Sequence, residues 1–160
     1  MSARTEPEYR PRLNHVAVAV DAALLDEAGR KDILDFYGDV FGWTEGDNTG
    51  EEGNPLILYT GAFAQFIYLL PGDPKTGEHM VTPALDHFGL QVPTLEALET
   101  TLDRAKAYAT HDERVRIIDR DRRTTHGPTH DYILTNAYIG FLLPLMVELQ
   151  HLERHERTGP

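Results

Sequence analysis

The chain has 160 residues, 41% hydrophobic and 26% charged, a length and composition suited to one ordinary globular domain with its own core. Its 15 Lys and Arg face 26 Asp and Glu, and the formal net charge of −11 makes phosphate backbones and anionic membrane surfaces poor partners, so neither nucleic acid nor membrane is expected. The absence of cysteine excludes disulfides, thiolate nucleophiles and cysteine-ligated metals.

No basic start followed by an apolar stretch and a small-residue cleavage site opens the chain, and the longest apolar run is far short of the roughly 20 residues of a membrane helix. A cytoplasmic protein is the expectation. Met1 to Arg10 is polar and reads as a frayed arm, as does the charged stretch from Glu153 to Pro160. Between them, Val16, Val18 and Val20 alternate with His15, Ala17 and Ala19, the pattern of a half-buried strand. A helix follows, with Ile33, Phe36, Tyr37, Val40 and Phe41 at helical spacing and Gly42 as its stop. Strands are expected at 43–45, 55–60 and 63–70. A second alternating segment sets Phe88, Leu90 and Val92 against His87, Gly89 and Gln91. Thr94 then caps a helix striped by Leu95, Leu98, Leu102 and Ala105. Three more strands are expected at 114–119, 131–138 and 141–149, with Gly61 and Gly140 at the turns before the last strand of each half.

The order is therefore strand, helix, three strands, written twice. Leu13-Asn14-His15-Val16-Ala17-Val18-Ala19-Val20 aligns with Leu85-Asp86-His87-Phe88-Gly89-Leu90-Gln91-Val92, with Leu, His and Val coinciding. A repeat this long is a supersecondary module used twice. Each histidine lies on the face opposite the apolar one, beside small neighbours, where a cleft could open. Glu148 also stands out: it interrupts the otherwise apolar run from Phe141 to Leu149. Burying an unpaired carboxylate costs several kcal/mol, so such a strand keeps one only with a partner, either a cation or an arginine.

These phrases, together with Asp-Phe-Tyr-Gly-Asp-Val-Phe-Gly-Trp and Val-Glu-Leu-Gln, resemble the vicinal oxygen chelate superfamily of glyoxalase I, methylmalonyl-CoA epimerase, extradiol dioxygenases and bleomycin- or fosfomycin-resistance proteins. The resemblance spans about residues 12–151. It implies an α+β fold of two βαβββ modules, about 12–72 and 84–151, curled around a shared cleft, and it implies a homodimer. It also implies metal ligands at His15, His87 and Glu148. Two imidazoles and a carboxylate are the ligand set of mononuclear non-haem iron(II), and they also suit zinc, nickel, cobalt or manganese. Taken one at a time, such histidines are often hydrogen-bonded core residues.

Where glyoxalases carry a fourth ligand, this chain has Tyr68, a poor ligand while neutral. Tyr68 then either lines the substrate cleft or packs in the core. A three-ligand shell turns the comparison toward ring-cleaving dioxygenases, whose signature of His, Tyr and Glu is echoed by His130, Tyr138 and Glu148. That echo makes His130 a candidate acid–base group and Tyr138 a candidate substrate-orienting phenol. It is imperfect, because Ala137 and Phe141-Leu142 depart from the signature, and His130 also reads as a loop residue. The expected function is a metal-dependent, extradiol-type dioxygenase acting on a small vicinal diol or enediolate. A glyoxalase- or epimerase-type lyase or isomerase is the alternative, and a sequestering resistance protein a third reading. His79, His111 and His126 fall in connecting segments, His151 and His155 in a charged tail, and the run of 119–123 reads as a solvated loop.

Overall fold

The alternating valines of the first segment form β1 (His15–Val20), with Val18 and Val20 buried and His15 exposed on the opposite face. The structure, a computed structural model, describes residues 12–47, 53–61 and 64–156. A short 3-10 turn over Ala22–Leu25 leads into α1 (Glu27–Phe41), where the Gly29 N–H donates to the Asp26 side chain at 2.8 Å. Ile33, Phe36, Tyr37 and Val40 form its buried stripe, and Gly42 ends it at φ 73°, a left-handed conformation that glycine adopts without strain. The module closes with β2 (Thr44–Glu45), β3 (Leu56–Tyr59) and β4 (Phe66–Pro71). The second module repeats the order as β5 (His87–Gln91), α2 (Leu95–Ala109), β6 (Arg116–His126), β7 (His130–Gly140) and β8 (Met146–Glu156). Thr94 caps α2 by accepting from the Ala97 N–H.

Each module forms one four-stranded sheet. The orders are β1-β4-β3-β2 and β5-β8-β7-β6. In both, the leading strand runs parallel to the last and lies at an edge. The two sheets do not pair with each other. Their apolar faces and both helices share one continuous core, in which Phe36 of α1 stacks on Phe141 at 4.4 Å and the buried Tyr37 hydroxyl donates to the Phe141 carbonyl at 3.1 Å. Arg114 ties the same region together: it pairs with Asp32 of α1 and with Asp112, and its guanidinium lies 5.1 Å from the centre of the Phe141 ring. Hydrogen bonds from Arg114 hold the Asp112 carboxyl down at about 2.

Three expectations need correction. The last strand begins at Met146 rather than at Phe141, because Leu142 takes φ 58° and Pro144 follows, which breaks the extended chain. It then runs on through Glu156, so the stretch 153–156 is strand, paired with His130–Ile133 of β7. The run of 119–123 is likewise strand, within β6, and its charges are engaged: Lys106 pairs with Asp119 at 2.8 Å, Arg120 with Glu99, and Arg122 approaches Glu153 at 3.6 Å. The arm at Met1–Arg10 and residues 157–160 lie outside the described residues.

Candidate metal centre

Glu148 is 8% exposed, and no arginine among the described residues meets it. Its Oε1 accepts from the Asn136 amide at 2.6 Å and from the Tyr138 hydroxyl at 3.1 Å. Its Oε2 lies 3.6 Å from His87 Nε2. The other ring nitrogen of His87, Nδ1, lies 2.9 Å from the Leu85 carbonyl. A carbonyl only accepts, so Nδ1 carries a proton, and in the singly protonated ring the Nε2 lone pair faces Glu148. Two electron-rich atoms thus face each other, an arrangement resolved by a second proton on the ring or by a cation between them. Fixing the tautomer through a carbonyl on the far nitrogen is also how ligating histidines are oriented. The residues present therefore fit a divalent ion.

Strand register explains why these groups meet. Tyr138 is the direct cross-strand partner of Glu148, and Gly89 is its partner on the other side. His87, two residues before Gly89 on β5, shares the face. A side chain at position 89 would place its Cβ 2.9 Å from Oε2, so glycine keeps the ground beside that oxygen open.

The first module carries the equivalent strand positions. His15 Nδ1 lies 2.6 Å from the Asn14 side-chain carbonyl, so Nε2 is the ring nitrogen left to face other groups, and the ring stacks on Phe66 at 4.8 Å. Tyr68 pairs with Ala17 as Glu148 pairs with Gly89, so it occupies the position equivalent to the glutamate. It is half-buried, with its ring 6.3 Å from Phe66. A groove of about 530 Å³ separates β1 from β5. It is lined by Asn14, His15 and Phe66 on one side, by Phe88 and Gly89 on the other, and by Trp43. Trp43 stacks on Tyr37 at 5.1 Å and faces Phe88 at 6.4 Å, so an aromatic layer spans the halves at this separation. Among the described residues of one chain, no three His, Asp or Glu side chains stand close enough to hold an ion.

The structure thus brings His87, Tyr138 and Glu148 together, with the His87 and Tyr138 rings 5.0 Å apart, and leaves His15 and Tyr68 on the other sheet. His130 is elsewhere. It opens β7, eight residues before Tyr138, or about 26 Å of extended strand. There the Arg154 guanidinium donates to its Nε2 at 2.6 Å. His126 lies 3.0 Å from Asp131, while His151 and His155 flank Glu153 on one face of β8 at 4.0 and 3.4 Å. Asn136 is a site residue that the sequence reading missed. Its one signal is parity: it stands two residues before Tyr138, on the same strand face.

The paired βαβββ modules give this chain the fold of the vicinal oxygen chelate superfamily. A fosfomycin resistance protein from Listeria monocytogenes superposes with a TM-score of 0.54 at 15% identity, covering 88% of this chain and 91% of that one. A lactoylglutathione lyase from Agrobacterium tumefaciens gives 0.53 at 16%, covering 92% and 96%. An antibiotic-binding protein from a Streptomyces species gives 0.54 at 15%, covering 90% and 98%. No protein-family profile and no curated protein matches the sequence. No helix among the described residues is long and apolar enough to cross a membrane.

Proposed function

We propose that this protein is a metal-dependent enzyme acting on a small molecule with two adjacent oxygens. In its specific form the ion is iron(II) and the reaction is extradiol-type oxidative cleavage of a vicinal diol or enediolate. The observation that carries this reading is the pair of His87 Nε2 and Glu148 Oε2, facing each other at 3.6 Å on a buried carboxylate that no arginine among the described residues neutralises. His15 is the third ligand, and it comes from a second copy of the chain. Two features favour that source. Both β1 and β5 are edge strands, which proteins commonly cover, and the aromatic layer at Trp43 holds them apart within one chain. A homodimer that pairs the first module of one copy with the second module of the other would complete two sites.

A divalent ion in such a set supplies a Lewis acid for adjacent substrate oxygens and, as iron(II), a place for dioxygen. The chain's own residues do the rest. The Leu85 carbonyl fixes the His87 tautomer, Asn136 and Tyr138 hold Glu148, and Phe66 and Tyr68 flank His15 on the substrate side. A catalytic role for His130 requires the far end of β7 in one copy to meet the cleft of the other. A lyase or isomerase is the second reading, favoured because the Tyr138 hydroxyl is bonded to Glu148 rather than free to orient a phenolic substrate. The lactoylglutathione lyase of similar fold points the same way.

Metal analysis of protein purified without chelators, followed by oxygen-uptake assays on catechols and enediolates, tests these readings. Iron with oxygen consumption supports cleavage. Zinc, nickel, cobalt or manganese without oxygen consumption supports the lyase or isomerase. A protein that takes up no metal even after reconstitution overturns both and leaves sequestration of a small molecule, as the antibiotic-binding neighbour suggests.

A further inference from the structure

The two oxygens of Glu148 are treated differently by the fold. Oε1 accepts two hydrogen bonds, from Asn136 Nδ2 at 2.6 Å and from the Tyr138 hydroxyl at 3.1 Å. Oε2 receives neither of these donors and, among the described residues, meets only His87 Nε2 at 3.6 Å. The ground on its side is kept bare, since any side chain at Gly89 would lie 2.9 Å from it. Asn136 itself is 5% exposed, and its carbonyl oxygen has no hydrogen-bond partner among the described residues. A buried amide with an unpaired carbonyl is unfavourable, so this side chain is held through its donor alone. That donor ends on Glu148.

We propose that Asn136 is a positioning residue that, with Tyr138, occupies Oε1 and restricts Glu148 to binding an ion through the single oxygen Oε2. This rests on the metal reading above and adds how the carboxylate binds. A carboxylate free at both oxygens can chelate and take two positions around an ion. One tied at Oε1 takes one. With His15 and His87 as the other ligands, an octahedral ion then keeps three positions open, enough for two adjacent substrate oxygens and one further small molecule. Loss of the Asn136 donor would let Glu148 swing to a two-oxygen mode and close one of them.

Cobalt(II) is a suitable probe, because its visible bands shift when a carboxylate oxygen displaces a bound water, even where the coordination number is unchanged. Wild type, Asn136→Leu and Asn136→Ser would be titrated with cobalt(II), and the thermal melt of each metal-free protein recorded. Leu matches the size of Asn without its donor. Ser is smaller and polar, and carries the test if the Leu variant fails to melt cooperatively. The expected result is binding weaker by about tenfold or more, the usual effect of removing a group that orients a ligand, together with shifted visible bands. Unchanged affinity and bands in the variants would overturn the proposal. Weaker binding with unchanged bands would also overturn it, since Asn136 would then be a structural prop. A wild-type protein that takes up no cobalt(II) instead overturns the metal reading on which the proposal stands.

Discussion

A carboxylate in an apolar strand needs partners, and those of Glu148 are two neutral donors and an imidazole. This makes Glu148→Gln a well-defined experiment. The glutamine carbonyl can accept from Asn136 and Tyr138 as Oε1 does. Its amide can donate toward His87 Nε2, which is an acceptor in the tautomer whose single N–H, on Nδ1, serves the Leu85 carbonyl. The metal-free protein should therefore keep its stability to within about 1 kcal/mol by chemical denaturation. Metal affinity should fall by more than about tenfold, since even groups that only orient a ligand are worth that much. A loss of about 3–5 kcal/mol that ignores chelator is the signature of a broken buried ion pair, and it would refute the metal assignment. The ligand candidates were legible because they violate local pattern: two histidines at matched positions of a repeat, and one acid in a greasy run. Asn136 violates nothing. An asparagine in a strand carries no sequence mark of the oxygen it will meet, and only the pairing of β7 with β8 supplies it.

Helix ends were readable from chemistry that acts within a few residues. The stripe of Ile33, Phe36, Tyr37 and Val40 fixed α1, and Gly42 stopped it. The strands of the second half were not readable to their ends. Beyond Gln150, β8 has lost β5 as a neighbour, and its side chains from Leu152 to Glu156 are mostly exposed. With little burial there is no alternation of apolar and polar residues to read, and the strand is sustained by its pairing with β7 alone. The same holds for the charged stretch of β6, where α2 meets it through Lys106–Asp119 and Glu99–Arg120 rather than through an apolar face. At Gly42 the backbone term can be isolated. A Cβ there meets nothing within 4 Å, yet φ is 73°. Gly42→Ala should therefore cost about 1 kcal/mol through left-handed strain alone, measured as a lower denaturation midpoint with an unchanged slope. A neutral result would mean that α1 ends without the left-handed turn.

For the whole molecule, the decisive feature is that the helices and apolar faces of both modules share one core while the two histidine-bearing strands stay at sheet edges. Phe36 against Phe141, the Tyr37–Phe141 hydrogen bond and the Arg114 clamp fix the modules in this arrangement. On the proposed metal reading, one chain then carries His87 and Glu148 as one half of a site and His15 as the other half. If two copies exchange halves, each complete site takes His15 from one chain and the His87–Glu148 pair from its partner. His15→Ala and Glu148→Ala variants should each lose high-affinity metal binding alone. Unfolded together and refolded, they should recover part of it. A mixed dimer places intact His15 of one chain beside intact His87 and Glu148 of the other at one of its two sites, while both changes fall together at the second. Random reassociation makes half the dimers mixed, so about a quarter of all sites should bind metal, detectable by titration at equal protein concentration. Ligands drawn from a single chain allow no such rescue, because every chain in the mixture lacks one of them. Recovery near zero, with co-purification of differently tagged chains showing that mixed dimers have formed, would place all three ligands in one chain and require β1 and β5 to close over the groove.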